Sequence, residues 1–427
     1  MSKFLTVGDV CNITTGSLDS NAFVENGKYP FYTCAKEPTN IDTYAFDDDV
    51  VLVAGNNAQG NFHVNRFKGK FNAYQRTYIL TSKGEKSIDY IYYLLSLALK
   101  LLKDKSQGSQ TKFLTIGILK EIHVPNLANS QIVAKVLSDL DTKIELNNRI
   151  NRELEAMAKT LYDYWFVQFD FPVDNNFSPS GEMSEGQRGY KSSGGKMVYN
   201  AELKREIPEG WENGTLGDIS DLVRGVTYDA SDIKEENDYD VIPILRATNI
   251  SGNVIDLDNM VFVPKQNVSA NQVLNKFDIL ITMSSGSKDH IGKNGFFYFD
   301  KEVAFGAFCA KIVAKDKYRF YVYSYTQSDF MFSTIKNECL GTNINNLNGS
   351  LVKGFKIVIP PDDLVEKFND EVLSIYEMIG NNHKQNQQLS ELRDWLLPML
   401  MNGQVTVKEA EERLSMAAEP SVEYKKG

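Results

Sequence analysis

A polar loop, Gly55-Asn-Asn-Ala-Gln-Gly60, follows the apolar run Val50-Val-Leu-Val-Ala. Carboxamides suit one chemistry above others, because an Asn or Gln side chain can donate and accept at once across an adenine edge. Asn56, Asn57, Gln59 and Asn61 are therefore candidate base readers. Lys68, Lys70, Gln75 and Arg76, beside Tyr74, add donors, as do Gln110 and Lys112 in the segment Gln107-Gly-Ser-Gln-Thr-Lys112. A second loop of the same character, Ser284-Ser-Gly-Ser-Lys-Asp-His-Ile-Gly-Lys293, supplies Ser285, Ser287, Lys288 and Lys293. Arg246, Asn249, Thr342, Asn343 and Asn345 complete this second set. The lysines suit phosphate, a contact that positions a protein on DNA without reading sequence. Residue type alone does not separate such loops from ordinary solvated ones.

Motifs for covalent chemistry are missing. Every Gly-Lys pair is followed by Tyr, Phe, Met or Asn, so no phosphate-binding GxxxxGK[ST] loop occurs, and there is no GxGxxG. No Asn-Pro-Pro-aromatic methyltransferase tetrapeptide occurs either. Glu202-Leu-Lys204 has a nuclease-like spacing but lies in a polar connector. His63, His123, His290 and His383 are scattered, and Cys11, Cys34, Cys309 and Cys339 form no CxxC, so neither a metal site nor a disulfide framework is indicated. Asp362-Asp363 reads as a helix cap, not as an acid–base pair. No leader and no run of 18 apolar residues is found, which predicts a cytoplasmic protein with no membrane contact.

The elements that must carry the loops show in the spacing of apolar residues. Val133, Leu137, Leu140, Ile144, Asn147, Asn151, Leu154, Ala158, Leu161 and Trp165 alternate steps of four and three, as a long coiled-coil helix requires. Phe368, Val372, Ile375, Ile379, Asn382, Asn386, Leu389 and Leu396 repeat the register 235 positions later, broken only where Arg393 stands for Ala158. Pro125 and Pro360 keep that offset. The chain is one module written twice. Leu5-Thr-Val-Gly-Asp-Val matches Gly214-Thr-Leu-Gly-Asp-Ile, and Gly16 matches Gly225. Asp48-Asp-Val-Val-Leu-Val likewise matches Phe277-Asp-Ile-Leu-Ile-Thr at a longer offset, so the second copy carries extra residues early on.

A buried Asn in a helix seam fixes register. Antiparallel pairing sets Asn147 and Asn151 opposite Asn386 and Asn382 and keeps the globular parts from competing for one end. The expected architecture is α+β, with two tandem α/β domains separated by two long helices that pair as an antiparallel coiled coil about a pseudo-two-fold axis. The boundaries are 1–128 and 210–361 for the domains, 129–171 and 362–403 for the helices, 172–209 for a connector and 404–427 for a polar tail. Strands are expected at Val50–Ala54, Phe71–Leu80 and Ile122–Val124, and a helix at Asp89–Leu102. Trp165, Phe166, Trp395 and Leu396 are expected to leave apolar surface at the helix ends.

The net charge of −10 over 427 residues looks wrong for a DNA binder, but it is unevenly spread. Residues 1–128 carry 14 basic and 12 acidic groups, residues 211–361 carry 15 and 18, and residues 362–427 carry 7 and 13. A near-neutral domain can still present a basic face.

Three strings stand out. They are Asp139-Leu-Asp-Thr-Lys-Ile-Glu-Leu-Asn-Asn-Arg-Ile-Asn-Arg-Glu-Leu-Glu with Leu161-Tyr-Asp-Tyr-Trp-Phe-Val-Gln-Phe-Asp, and Leu392-Arg-Asp-Trp-Leu-Leu-Pro-Met-Leu-Met-Asn-Gly-Gln-Val. With Ile207-Pro-Glu-Gly-Trp, they resemble type I restriction-modification specificity subunits. The resemblance implies a non-catalytic chain that reads a bipartite, asymmetric target in double-stranded DNA. Two methyltransferase subunits and restriction subunits are its implied partners, and S-adenosylmethionine, ATP and Mg belong to those partners, with no cofactor in this chain. The rival reading is a coiled-coil protein–protein scaffold, or a subunit that no longer recognises DNA.

Overall fold

The computed structural model describes residues 5–58, 60–84, 86–108, 111–125, 127, 129–173, 189–341, 346–405 and 408. Two compact units form, one from Met1–Leu146 with Gln385–Gly427 and one from Asn147–Lys384. The division falls inside both long helices, Ser130–Tyr162 and Asp362–Met401.

In the first unit six strands run in the order Cys11–Thr15, Thr77–Ser82, Phe46–Ala54, Val64–Ala73, Tyr29–Tyr32 and Thr39–Ile41. All neighbours are antiparallel except Tyr29–Tyr32 against Val64–Ala73. The run Val50–Val53 is buried on both faces, which is why it reads as continuous and not alternating. Val51, Val53 and Leu80 face the helix Ile88–Leu97, while Val50, Leu52, Phe71 and Ile79 face a smaller aromatic layer. Val133, Leu137 and Leu140 of the first long helix join the larger core with Leu396 and Leu400 of the second. Arg393 Nη1 meets Asp141 Oδ1 at 2.7 Å, and Leu127 lies beside Gly403, so these helix halves run antiparallel.

The second unit repeats the plan with the sheet split. Ser220–Arg224, Cys309–Ala314, Ile279–Thr282 and Asn294–Phe296 form one sheet, and Val261–Pro264, Val241–Leu245 and Ala304–Phe305 the other. The parallel pair recurs as Val241–Leu245 against Ala304–Phe305. Where the first unit has one strand, Val64–Ala73, the second has two, parted by residues 297–303. Its helix halves also pair antiparallel. Asn382 Nδ2 donates to Asn151 Oδ1 at 2.7 Å, and Phe368 packs on Trp165 and Phe166 with ring centres 5.7 and 5.0 Å apart. Asn147 and Asn151 are both buried.

Small features repeat in detail. Thr6 with Asp9 and Thr215 with Asp218 form the same capping box before Val7–Val10 and Leu216–Ile219. Tyr90 donates its hydroxyl to Pro125 O and Tyr321 donates to Val358 O. A Cβ on Gly16 would lie 2.0 Å from Ala73 O and one on Gly225 2.1 Å from Gly306 O, so only glycine fits either crossing. The break in the heptads is explained by local chemistry. Arg393 stands opposite Asp141, which also accepts the Tyr93 hydroxyl at 2.6 Å. The corresponding residues in the second unit are Ala158, Tyr376 and Ser324, with Ser324 Oγ 3.5 Å from the Tyr376 hydroxyl.

Several sequence expectations are corrected. Phe71–Leu80 is not one strand, because the chain leaves the sheet at Ala73, turns through Tyr74–Arg76 and re-enters at Thr77. Asp89–Leu102 is two helices, Ile88–Leu97 and Leu99–Lys105. Ile122–Val124 contributes a single bridge, His123 to Thr6. The connector holds a hairpin, Met197–Asn200 with Arg205–Pro208. The first long helix ends at Tyr162 in a π-turn, Asp163–Val167, which swings Trp165 and Phe166 into the core. Leu396 is buried as well, so Trp395 alone of those four keeps apolar surface outside.

Candidate nucleic-acid interface

In the first unit the loops gather where strand Phe46–Ala54 leaves the sheet. Asn56 and Asn57 pair with Phe113 and Lys112, and Leu114 N donates to Gly55 O at 2.8 Å. Gly55 N donates to Arg76 O at 2.8 Å, which ties this loop to the turn Tyr74–Arg76. The Cys34 thiol contacts the same carbonyl at 3.7 Å and brings in the loop after Tyr29–Tyr32. Asn57 Oδ1 accepts from Asn61 N at 3.0 Å, and Lys103 Nζ donates to Asn61 Oδ1 at 2.9 Å. Asn56, Asn57, Asn61, Arg76 and Lys112 thus share one end of the sheet.

Other candidates are placed elsewhere or already employed. Lys68 and Lys70 pair along the strand with Asp49 and Asp47, six and eight residues before the loop at Gly55, or roughly 20–26 Å at about 3.3 Å per residue. Lys68 Nζ lies 3.7 Å from Asp49, and Lys70 sits over the Tyr44 ring at 4.6 Å. Gln75 Nε2 is engaged by Asp19 Oδ1 at 2.7 Å. Gln59 and Gln110 lie outside the described residues.

The second unit reproduces the junction. Met283 N donates to Phe308 O at 2.8 Å, Leu347 N to Met283 O at 2.7 Å, and Ser284 bridges to Asn346. The loop beyond folds on itself, with Ser287 N on Ser285 Oγ at 3.3 Å and Lys293 Nζ 3.4 Å from His290 Nδ1. Lys288 and His290 are exposed and Lys293 is half-buried. Arg246 is exposed and donates to Asn259 O at 2.8 Å. Asn249 is put to a different use from the one its type suggests. It is buried, its Nδ2 donates to Asp256 O and Asp258 O, and its Oδ1 accepts from Arg246 N, so both of its N–H donors are spent within the loop. Thr342, Asn343 and Asn345 lie outside the described residues.

Sequence reasoning missed Lys36, His63 and Lys103 at the first junction and Phe308 at the second. Burial holds the His63 imidazole below its usual pKa, and Lys36 adds to the effect. Phe308 escaped because a search for polar loops passes over an aromatic. The duplication could have found it, since it occupies the place of Arg76. Among the described residues no group of three or more His, Cys, Asp and Glu side chains could hold a metal ion, and no helix is long and apolar enough to cross a membrane.

The chain matches the model of the type I restriction modification DNA specificity domain over residues 2–156 and again over 208–391. It is 29% identical over 326 residues to the type I restriction enzyme MjaIX specificity subunit of Methanocaldococcus jannaschii, covering 75% of this chain and 70% of that one. It is 28% identical over 242 residues to the EcoDI specificity subunit of Escherichia coli, covering 56% and 51%. The latter match thus spans about half of that relative. The crystal structure of a type I restriction-modification system S subunit from M. genitalium superposes with a TM-score of 0.53 at 17% identity, covering 92% of this chain and 94% of that one, which shows the shared fold. Two matched copies of one domain, each with its part of the long helices, place this chain in the type I restriction modification DNA specificity family.

Proposed function

We propose that each unit reads one half of a bipartite, asymmetric DNA target through the end of its sheet. The supporting observation is a constant frame with variable contents. Four main-chain bonds of one junction recur in the other, while the side chains they present differ: Asn56, Asn57, Arg76 and Lys112 in one, Ser285, Ser287, Lys288 and Phe308 in the other. A fold kept for packing alone would have no use for such divergence at one site. On this reading residues 1–128 and 210–361 are the target recognition domains, and residues 129–171 and 362–403 are the spacer helices and the platform for partners. Two methyltransferase subunits and restriction subunits are those partners, and S-adenosylmethionine, ATP and Mg serve them. The chain itself performs no bond-making step and acts in the cytoplasm, where the DNA is.

The test is selection from a randomised duplex library by the full chain with its modification subunit, followed by sequencing. A two-part motif separated by unspecified base pairs is expected. Enrichment of no sequence would leave the rival, a protein–protein scaffold.

A further inference from the structure

The two units build one turn and fill it differently. Tyr74–Arg76 joins the strands Val64–Ala73 and Thr77–Ser82, and residues 306–308 join Ala304–Phe305 and Cys309–Ala314. Three main-chain bonds fix each turn in the same way. Gly55 N to Arg76 O at 2.8 Å matches Met283 N to Phe308 O at 2.8 Å. Tyr74 N to Tyr32 O at 2.9 Å matches Gly306 N to Leu245 O at 2.8 Å. Gly16 N to Thr77 O at 3.3 Å matches Gly225 N to Cys309 O at 3.2 Å. Arg76 and Phe308 therefore hold one position in two copies, each next to the loop that carries the amides or hydroxyls.

Neither side chain serves the fold. Arg76 is exposed, and no carboxylate lies within ion-pair distance of it among the described residues. Phe308 is 66% exposed, so most of its ring is open to a partner. Its carbonyl is pinned by two amides, Met283 N and Ser284 N, so the backbone that aims the ring is held in place.

We propose that this turn residue is a base reader in each unit, and that its type sets the base. The Arg76 guanidinium is a planar fork matched to O6 and N7 of guanine. Phe308 has no hydrogen-bonding side-chain group, and the base-edge feature that it can contact favourably in the major groove is the 5-methyl of thymine. The first half-site then contains a G·C pair read by Arg76, and the second an A·T pair read by Phe308. This assignment rests on the DNA-reading role proposed above.

The experiment compares the full wild-type chain, Arg76→Ala and Phe308→Ala, each with the modification subunit, in the same duplex selection. Arg76→Ala is expected to lose the preference for one guanine in one half-site, by about 5- to 100-fold. Phe308→Ala is expected to lose the preference for one thymine in the other half-site, by a smaller factor, with the opposite half-site unchanged in each case. Base analogues then probe the wild type. Deoxyuracil in place of that thymine removes the methyl and weakens wild-type binding but not binding by Phe308→Ala. 7-Deazaguanine in place of that guanine acts likewise on the wild type but not on Arg76→Ala. Variants that keep the full wild-type motif, or lower affinity evenly for all sequences, overturn the assignment. If a variant misfolds, the wild type alone decides, since equal binding of thymine and deoxyuracil at every position of the second half-site also overturns it. A wild type with no motif at all overturns the DNA-reading role itself, a result distinct from a sharp motif that both variants retain.

Discussion

Asp141 accepts from Arg393 and from the Tyr93 hydroxyl with side chains about one-third exposed, a setting between a surface ion pair and a buried one. Burial, then the bond to Asp141, pushes the Tyr93 hydroxyl well above its usual pKa, so it stays a donor throughout the useful pH range. Arg393→Ala leaves a carboxylate with one neutral partner and should cost about 1–3 kcal/mol, discounted for exposure. A double-mutant cycle with Asp141→Ala, followed by thermal melting, should show clear non-additivity. His383 makes the pH prediction. Its ring stacks on Tyr298 with centres 5.4 Å apart, and burial lowers its pKa from 6.5 to about 4. Between those values the unfolded chain takes up a proton that the folded chain refuses. Stability is therefore full above about pH 6.5 and declines as the pH falls towards 4, by about 2–3 kcal/mol after allowance for partial exposure. Melting of His383→Phe should lack this part of the acid sensitivity. Residue types alone are a poor guide at this scale. Asn249 reads as a base reader and is a buried loop tie, whereas Phe308, which no search for polar groups selects, is exposed. Types carry no information about which amide a backbone turn has already consumed.

Among the elements, the long helices were legible because their spacing is a property of the chain alone. Every heptad position from Val133 to Trp165 is buried or half-buried. The strands were less so. Phe71–Leu80 reads as one apolar run because the turn at Tyr74–Arg76 contains no Gly or Pro, and its bend is imposed by bonds to Tyr32 and Gly55, both distant in sequence. The seam offers a test. Asn151 is 3% exposed and its Nδ2 lacks a partner among the described residues. Asn151→Leu with Asn382→Leu should raise the melting point, by about 1–3 kcal/mol in stability, while loosening the register. Disulfide trapping between cysteines flanking the seam should then catch more than one alignment; a lower melting point with a single alignment would count against this account. The glycine crossings offer another. Gly16→Ala or Gly225→Ala drives a methyl into a carbonyl oxygen and should cost about 2–3 kcal/mol or more, equally in either unit.

At the scale of the whole chain, the duplication was legible in the 235-residue offset, and the split of the second sheet was not. That split arises because residues 297–303 interrupt a strand, and an insertion in a diverged copy has no periodic signature. The helices as spacer can be probed directly. Four residues added after Asn148 lengthen a helix by about 6 Å and rotate its C-terminal part by about 40°. One base pair advances about 3.4 Å and turns roughly 34–36°. The gap between half-sites should grow by one or two base pairs with both half-site sequences unchanged, read from the methylation pattern of a plasmid library.

The unequal quartet of Asp141 with Arg393, and Tyr376 with Ala158, also labels the two helices. Suppose two copies of the first helix met head to tail. Asp141 of each would then face the methyl of Ala158 in the other and lose its guanidinium. Two copies of the second helix would set Arg393 against Tyr376, with no carboxylate to receive it. Only the unlike pair brings carboxylate to guanidinium. A chain descended from a doubled gene thus carries a mark of self against copy, written in two positions of each long helix, which keeps two helices of the same register from trading places.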